Sequence, residues 1–215
     1  MNQIKSNSYI LLSCLVFILI LSCKRTNNKD LIEIFILKER VKSDEGLPYI
    51  NLGNNKVFNK NELKKEKELP NYDTIRKEFI YAGKFDVDIK QIKENPFINN
   101  DEIIMLDTVS GKIKLSANAI NKIISLKPSM KEGIQFVICK NKKPLFTGYF
   151  WSSFSSYGST WNCIEYDHTT KTENPVVLNM YKGNGINALK RQKIDFNKYP
   201  EILNVLSEDE KIGDL

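Results

Sequence analysis

The sequence predicts an α+β domain, a mostly antiparallel sheet with two or three helices packed on one face, after an N-terminal signal segment. Three observations carry this expectation. Short runs rich in β-branched and aromatic residues recur between turn signals from Leu31 to Tyr181. The clearest 3.6-residue apolar period lies at Ala119, Ile120, Ile123, Ile124 and Leu126. Residues 9–22 form an apolar run without a single charge. The rest of the 215-residue chain is long enough to bury a sizeable core, and one domain over residues 31–215 is the default.

The N-terminal run is flanked by Lys5 on one side and by Lys24 and Arg25 on the other, the layout of a secretory signal. It is shorter than the ~20 apolar residues a spanning helix needs. An ordinary cleavage site wants small residues, whereas the bulky Ile20 and Leu21 stand before Ser22 and Cys23. Ile20-Leu21-Ser22-Cys23 resembles the lipobox of bacterial lipoproteins, with Ile in the first place and a large Leu in the second. Leu11-Leu12-Ser13-Cys14 spells the same pattern, but too little apolar chain precedes it. The resemblance implies a signal peptide over residues 1–22, cut before Cys23, whose thiol carries a lipid. Residues 23–30 are then the lipidated cysteine and a polar, flexible tether. Lys24-Arg25 lacks the aspartate that commonly retains such proteins at the inner membrane, so the resemblance implies the outer membrane, facing the periplasm.

Along the domain, Leu31 to Leu37 reads as the first strand, largely buried. Between Lys38 and Thr74, Gly46 and Gly53 mark turns, and Asn59 with Glu62 opens a short helix ending at Pro70. Ile75 to Tyr81, Phe85 to Ile92 and Glu102 to Leu106 follow as strands. Asp107 to Gly111 turns the chain into Lys112 to Leu115, and Ser116 caps the amphipathic helix that ends before Pro128. Ile134 to Cys139 and Pro144 to Phe150 form a hairpin around Lys140-Asn141-Lys142-Lys143. Thr160 to Tyr166 and Val176 to Tyr181 add two strands. Pro200 starts a closing helix, Glu201 to Leu206, and the acidic tail beyond it is expected to fray.

Candidate functional residues are few. Phe150 to Trp161 interleaves aromatics with serines, and Trp151, Phe154, Tyr157 and Trp161 are the candidate binding residues if the stretch is exposed. If it is buried, the same rings are core. Cys139 and Cys163 are either a cross-strand disulfide, worth ~3.5 kcal/mol on the chain-entropy model, or two buried thiols acting as small hydrophobes. Asp86 and Asp88 fall on one face of a predicted strand, with too few oxygen neighbours to hold calcium. The sole histidine, His168, follows Asp167, so a hydrolase using it can be composed. No nucleophile elbow accompanies it, and no catalytic residue, metal site or cofactor is expected. Gly183-Asn184-Gly185 lacks the third glycine of a dinucleotide loop.

The net charge is +6, and removing residues 1–22 takes away only Lys5 and leaves +5. That balance suits anionic headgroups or acidic glycans, while the absence of a Lys/Arg-rich run argues against nucleic acid. Around Gly133, the pair of runs Phe136–Cys139 and Pro144–Gly148 resembles small bacterial lipoproteins. Over that stretch it is faintly similar to the periplasmic head of the SecD translocase subunit. The resemblance implies a sheet with helices on one face and carries over no functional residue. The expectation is a non-enzymatic lipoprotein of the cell envelope, held to the bilayer through Cys23, contacting another envelope protein or a cell-wall or glycan ligand. The alternative is an envelope hydrolase.

Overall fold

The computed structural model describes residues 29–43, 82–127, 132–155, 159–167, 175–183 and 191–215, with the backbone at 47–48, 72–73 and 78–79. In chain order the strands are β1 (Ile32–Ile36), β2 (Leu47–Pro48), β3 (Tyr72–Asp73), β4 (Glu78–Phe79), β5 (Ile103–Asp107), β6 (Lys112–Leu115), β7 (Ile134–Lys140), β8 (Lys143–Ser152), β9 (Asn162–Tyr166) and β10 (Val176–Lys182). Two α-helices lie among the described residues, α1 (Ala117–Ser125) and α2 (Pro200–Glu208). Seven strands form the main sheet in the order β1-β7-β8-β9-β10-β6-β5, while β2, β4 and β3 pair in a small sheet of their own. Every pairing in the main sheet is antiparallel except β8 with β9.

The predicted α+β class holds, with both helices on one face. Alternation decides which side chain goes where. Ile32 and Ile34 of β1, Phe136 and Ile138 of β7, Phe150 of β8 and Ile164 of β9 enter one core. There they meet Ala119, Ile120 and Ile123 of α1 and Ile202, Val205 and Leu206 of α2. The opposite residues, Phe35, Val137, Cys139, Tyr149, Trp151, Cys163 and Tyr181, build a second core on the other face. This explains why Phe136-Val137-Ile138-Cys139 is continuously apolar, since a strand covered on both faces has no solvent side.

The cover of the second face is the segment from Ala82 to Ile92, and here the structure corrects the sequence. Phe85 to Ile92 is not a strand. Asp88 caps a 3-10 turn at Ile89–Gln91, accepting from Lys90 N at 2.8 Å while Gln91 Oε1 accepts Asp88 N–H at 2.8 Å. Asp86 and Asp88 therefore do not share a strand face. Phe85, Ala82 and Ile92 are buried against the sheet, whereas Ile89 is left exposed.

Several local readings hold. Ser116 Oγ accepts from Ala119 N at 3.2 Å and caps α1. The Asp107 carboxylate accepts from Val109 N and Ser110 N, each at 2.8 Å, and fixes the β5–β6 turn. The β7–β8 hairpin is tighter than predicted, because the strands continue to Lys140 and Lys143. Only Asn141 (φ 49°) and Lys142 (φ 66°) turn the chain, as a type I′ turn requires. The predicted helix from Asn59 and the turns at Gly46 and Gly53 lie outside the described residues.

The C-terminal tail is docked rather than frayed. Leu106 N donates to Lys211 O at 2.7 Å, Gly213 N donates to Leu106 O at 3.2 Å, and Leu215 N donates to Asp107 Oδ2 at 3.1 Å. Asp209, whose side chain is 1% exposed, pairs with Lys29 at 2.7 Å and accepts from Asn100 Nδ2 at 2.9 Å. The tail covers the outer edge of β5, and residues 92–98 cover that of β1 through bridges Ile34–Ile98 and Leu37–Ile92. No helix among the described residues is long and apolar enough to cross a membrane.

Two expectations follow. Gly133 has φ +61°, and a Cβ there would lie 2.6 Å from the Trp151 ring and 3.0 Å from Phe150 O. Gly133→Ala should therefore cost about 3 kcal/mol in urea unfolding, and a cost under 0.5 kcal/mol would refute this packing. Hydrogen bonds from Ser110, then those from Leu215 N and Val109 N, hold the Asp107 carboxyl well below the usual carboxylate range against the opposing effect of burial. Its folded pKa lies below its unfolded pKa of about 3.9, so its contribution is complete above that value and is lost as the pH falls further. In wild type, amide exchange at Leu215, corrected for its intrinsic pH dependence, should accelerate below about pH 4. In Asp107→Asn that acid step should be absent.

Candidate binding site

Trp161, immediately before β9, is the half-buried aromatic around which the candidate site is built. Its indole packs on the second core, and Nε1 donates to Thr147 Oγ1 at 2.9 Å. Thr147 Oγ1 in turn donates to Phe85 O at 3.0 Å, and Tyr149 Oη donates to Gly83 O at 2.8 Å. Two outward side chains of β8 thus clamp the backbone on either side of Lys84. The Lys84 ammonium lies 5.9 Å from the Trp161 ring centroid, and the Lys182 ammonium lies 5.0 Å from it. Lys182 is itself fixed at the end of β10 by paired backbone bonds with Gln192, 2.8 and 2.7 Å, and the neighbouring Gly183 N donates to Trp161 O at 3.2 Å.

Neither ammonium has an ion-pair partner among the described residues. The acid on β9, the strand that Trp161 precedes, is already engaged. Glu165 is held by Arg191 through bonds of 2.9 and 2.6 Å, and the guanidinium lies 4.4 Å from the Tyr181 ring centroid. Two like charges around one ring gain about 0.5–1 kcal/mol each from the π face at an exposed site. Neither charge is neutralised by an acid among the described residues, so each can attract an anion that comes to the ring. The arrangement offers two cations beside one aromatic wall.

The sequence-nominated residues do not act together. Trp151 is 2% exposed and belongs to the second core, so it offers no surface to a partner. Phe154 is 54% exposed, but it follows the far end of β8, whereas Trp161 precedes the near end of β9. Because β8 and β9 are parallel, with Tyr149 opposite Cys163 and Ser152 opposite Tyr166, the intervening chain runs back along the sheet. This separates Phe154 from Trp161 by the length of β9, about 17 Å. The return is fastened to the 82–92 cover by Ser159 Oγ and Thr160 N, both donating to Ala82 O, at 2.7 and 3.1 Å. Tyr157, His168 and the lipobox with Cys23 lie outside the described residues.

Cys139 and Cys163 are free, buried thiols. The disulfide alternative fails on geometry. β8 lies between their strands, and Cys139 pairs with Pro144 while Cys163 pairs with Tyr149. Two inter-strand steps of ~4.8 Å and an offset of five residues at ~3.3 Å exceed the ~7 Å that a bridge tolerates. Burial, helped by the charge of Glu33 at Cys139 and opposed by the Ser159 bond at Cys163, pushes both thiols up to about 12. They are protonated and unreactive at neutral pH.

Elsewhere a cleft of about 400 Å³ runs beside residues 38–42 and includes Lys38, Arg40, Lys42 and Lys90. Its central cation is already engaged in holding the fold. Arg40 Nη1 donates to Glu132 O and Gly133 O at 3.2 and 3.3 Å, and the guanidinium lies 5.6 Å from the Tyr149 ring centroid. Among the described residues no group of three His, Cys, Asp or Glu gathers as metal ligands would. No protein-family model, curated protein or solved structure matches the chain.

Sequence reasoning found Trp161 but missed Lys84, Lys182 and Thr147. Ala82-Gly83-Lys84 stands between two predicted strands in the sequence, yet nothing local places it against a residue almost eighty positions later. Thr147→Val leaves the indole N–H and Phe85 O without their shared partner. It should cost about 1 kcal/mol, the low end for a partly exposed pair, and shift the Trp161 emission. Unchanged stability and emission would show that the clamp does not position the ring.

Proposed function

We propose that the protein is a membrane-tethered lipoprotein of the cell envelope, acylated at Cys23, whose domain binds an acidic glycan without transforming it. The compartment reading rests on the Ile20–Cys23 lipobox, and the outer membrane facing the periplasm is the location it favours. The binding reading rests on one observation, the two lysine ammoniums at 5.0 and 5.9 Å from the Trp161 ring with no acid among the described residues to balance them. A glycan carrying carboxylates presents both chemistries such a site takes, anionic groups for the lysines and a C–H face for the π system of the indole. The protonated thiols and the engaged Glu165 support binding over catalysis.

Radiolabelled palmitate should enter the wild type and not Cys23→Ala; label in neither would refute acylation at Cys23. For the site, full-length protein in detergent should bind polygalacturonate and ignore neutral dextran. The K84Q/K182Q double variant should bind at least ten-fold more weakly with unchanged thermal unfolding. Equal binding by the double variant, or equal binding of dextran, would sink the site.

A further inference from the structure

The start of the domain is fastened to one end of the sheet by contacts that no sequence pattern announced. Lys29 Nζ pairs with the buried carboxylate of Asp209 at 2.7 Å, just beyond α2. Asp30 pairs with Lys140 Nζ at 2.7 Å and accepts from Asn141 Nδ2 at 2.6 Å. Leu31 N donates to Asn141 Oδ1 at 2.9 Å, and Asn141 N returns a bond to Leu31 O at 3.0 Å. Three consecutive residues thus tie the chain to the tip of the β7–β8 hairpin and to the end of α2.

From this we infer that the hairpin tip at Asn141–Lys143, together with the C-terminal end of α2, is the surface that faces the lipid headgroups. The inference rests on the tether reading, since it needs the chain held at the membrane at or before Cys23. Residues 24–28 lie between Cys23 and Lys29, the first fastened residue among those described, and the step from Cys23 to Lys29 reaches at most about 20 Å when fully extended. A domain of this length has a radius of gyration of about 16 Å and is about 40 Å across. The spacer is shorter than the body it holds, so the domain cannot turn its opposite end to the bilayer.

The surface is suited to headgroups rather than to insertion. Lys140, Asn141, Lys142, Lys143 and Asp30 make it polar, with Glu201 of the first turn of α2 beside Lys143, and Leu31, at 37% exposure, lies there; the β5–β6 turn, with Val109 at 70%, is at the same end of the strands. The far end of β8 carries Phe154 at 54% exposure, directed away from the membrane. β8 runs from one end to the other, from Lys143 to Ser152 over ten residues, about 30 Å.

The strand supplies its own ruler. Lys143 and Ser153 are both exposed and stand at its two ends, and the native Cys139 and Cys163 are buried and spare from labelling. Full-length K143C and S153C, each with a donor dye on the new thiol, are reconstituted into phosphatidylglycerol vesicles holding an acceptor lipid. Energy transfer should place the K143C donor nearer the headgroups by about 20 Å or more. Equal transfer, or stronger transfer from S153C, would overturn the assignment. An anchor that is the uncleaved apolar run, detected as missing palmitate label in protein that floats with vesicles, leaves the same spacer and the same expected order. Protein that does not float removes the tether, and the membrane-facing surface with it. Thermal unfolding equal to wild type in both variants confirms that the two exposed substitutions left the fold intact.

Discussion

The bond from Tyr149 Oη to Gly83 O is the interaction on which the second half of the architecture depends. Tyr149 lies fully buried in β8, and its hydroxyl also receives Ser43 Oγ at 2.9 Å and Gln135 Nε2 at 3.4 Å. With its proton given to Gly83, it accepts from the other two, so one phenol oxygen gathers the cover strap, the chain after β1 and strand β7. Gln135 extends the junction by accepting from Val41 N at 2.7 Å and donating to Val41 O at 2.9 Å, as a neighbouring strand would. Burial raises the Tyr149 pKa, against the bonds from Ser43 and Gln135, so the phenol keeps the proton it donates. A buried polar network is stabilising only when each member is satisfied, and this one is.

That junction explains why a sheet with helices on one side has no wet face on the other. A half-covered sheet would leave Phe35, Val137 and Trp151 in water, and burying an aromatic or branched side chain is worth about 1.5–3 kcal/mol. The 82–92 strap makes that burial possible without forming a strand, because its polar backbone is satisfied from below by Thr147 and Tyr149 and from within by the Asp88 cap. Trp161 then sits at the margin of the second core, held by the same threonine that holds the strap. The candidate site is therefore a by-product of how the second face is closed, and its geometry is as rigid as that closure.

What could be read beforehand follows the range of the interactions involved. The cap at Ser116, the turn at Asp107 and the β7–β8 hairpin were legible because each is made by residues within a few positions of one another. The Asp88–Gln91 capping box was equally local, but the alternation of Phe85, Val87 and Ile89 outweighed it and suggested a strand. The docked tail was illegible, since its acidic residues looked solvated until Lys29 and Asn100 supplied partners from far upstream. The parallel pairing of β8 and β9 was also hidden, because strand pattern carries no direction. That direction split the serine-aromatic stretch, sending Trp151 inward, leaving Phe154 at one end and Trp161 at the other. Lys84 and Lys182 had no signal of their own.

Both outer strands of the main sheet are occupied along their free sides, β1 by residues 92–98 and β5 by the tail around Ile212. An uncovered edge offers a ready template to a second chain. Molecules confined to a surface meet far more often than the same number dispersed in a volume, and in one shared orientation, the condition under which strand-to-strand polymerisation would run fastest. With its edges already hydrogen-bonded to its own chain, this sheet gives a crowded neighbour no ladder to extend, and the domain can be dense on a surface without becoming a fibre.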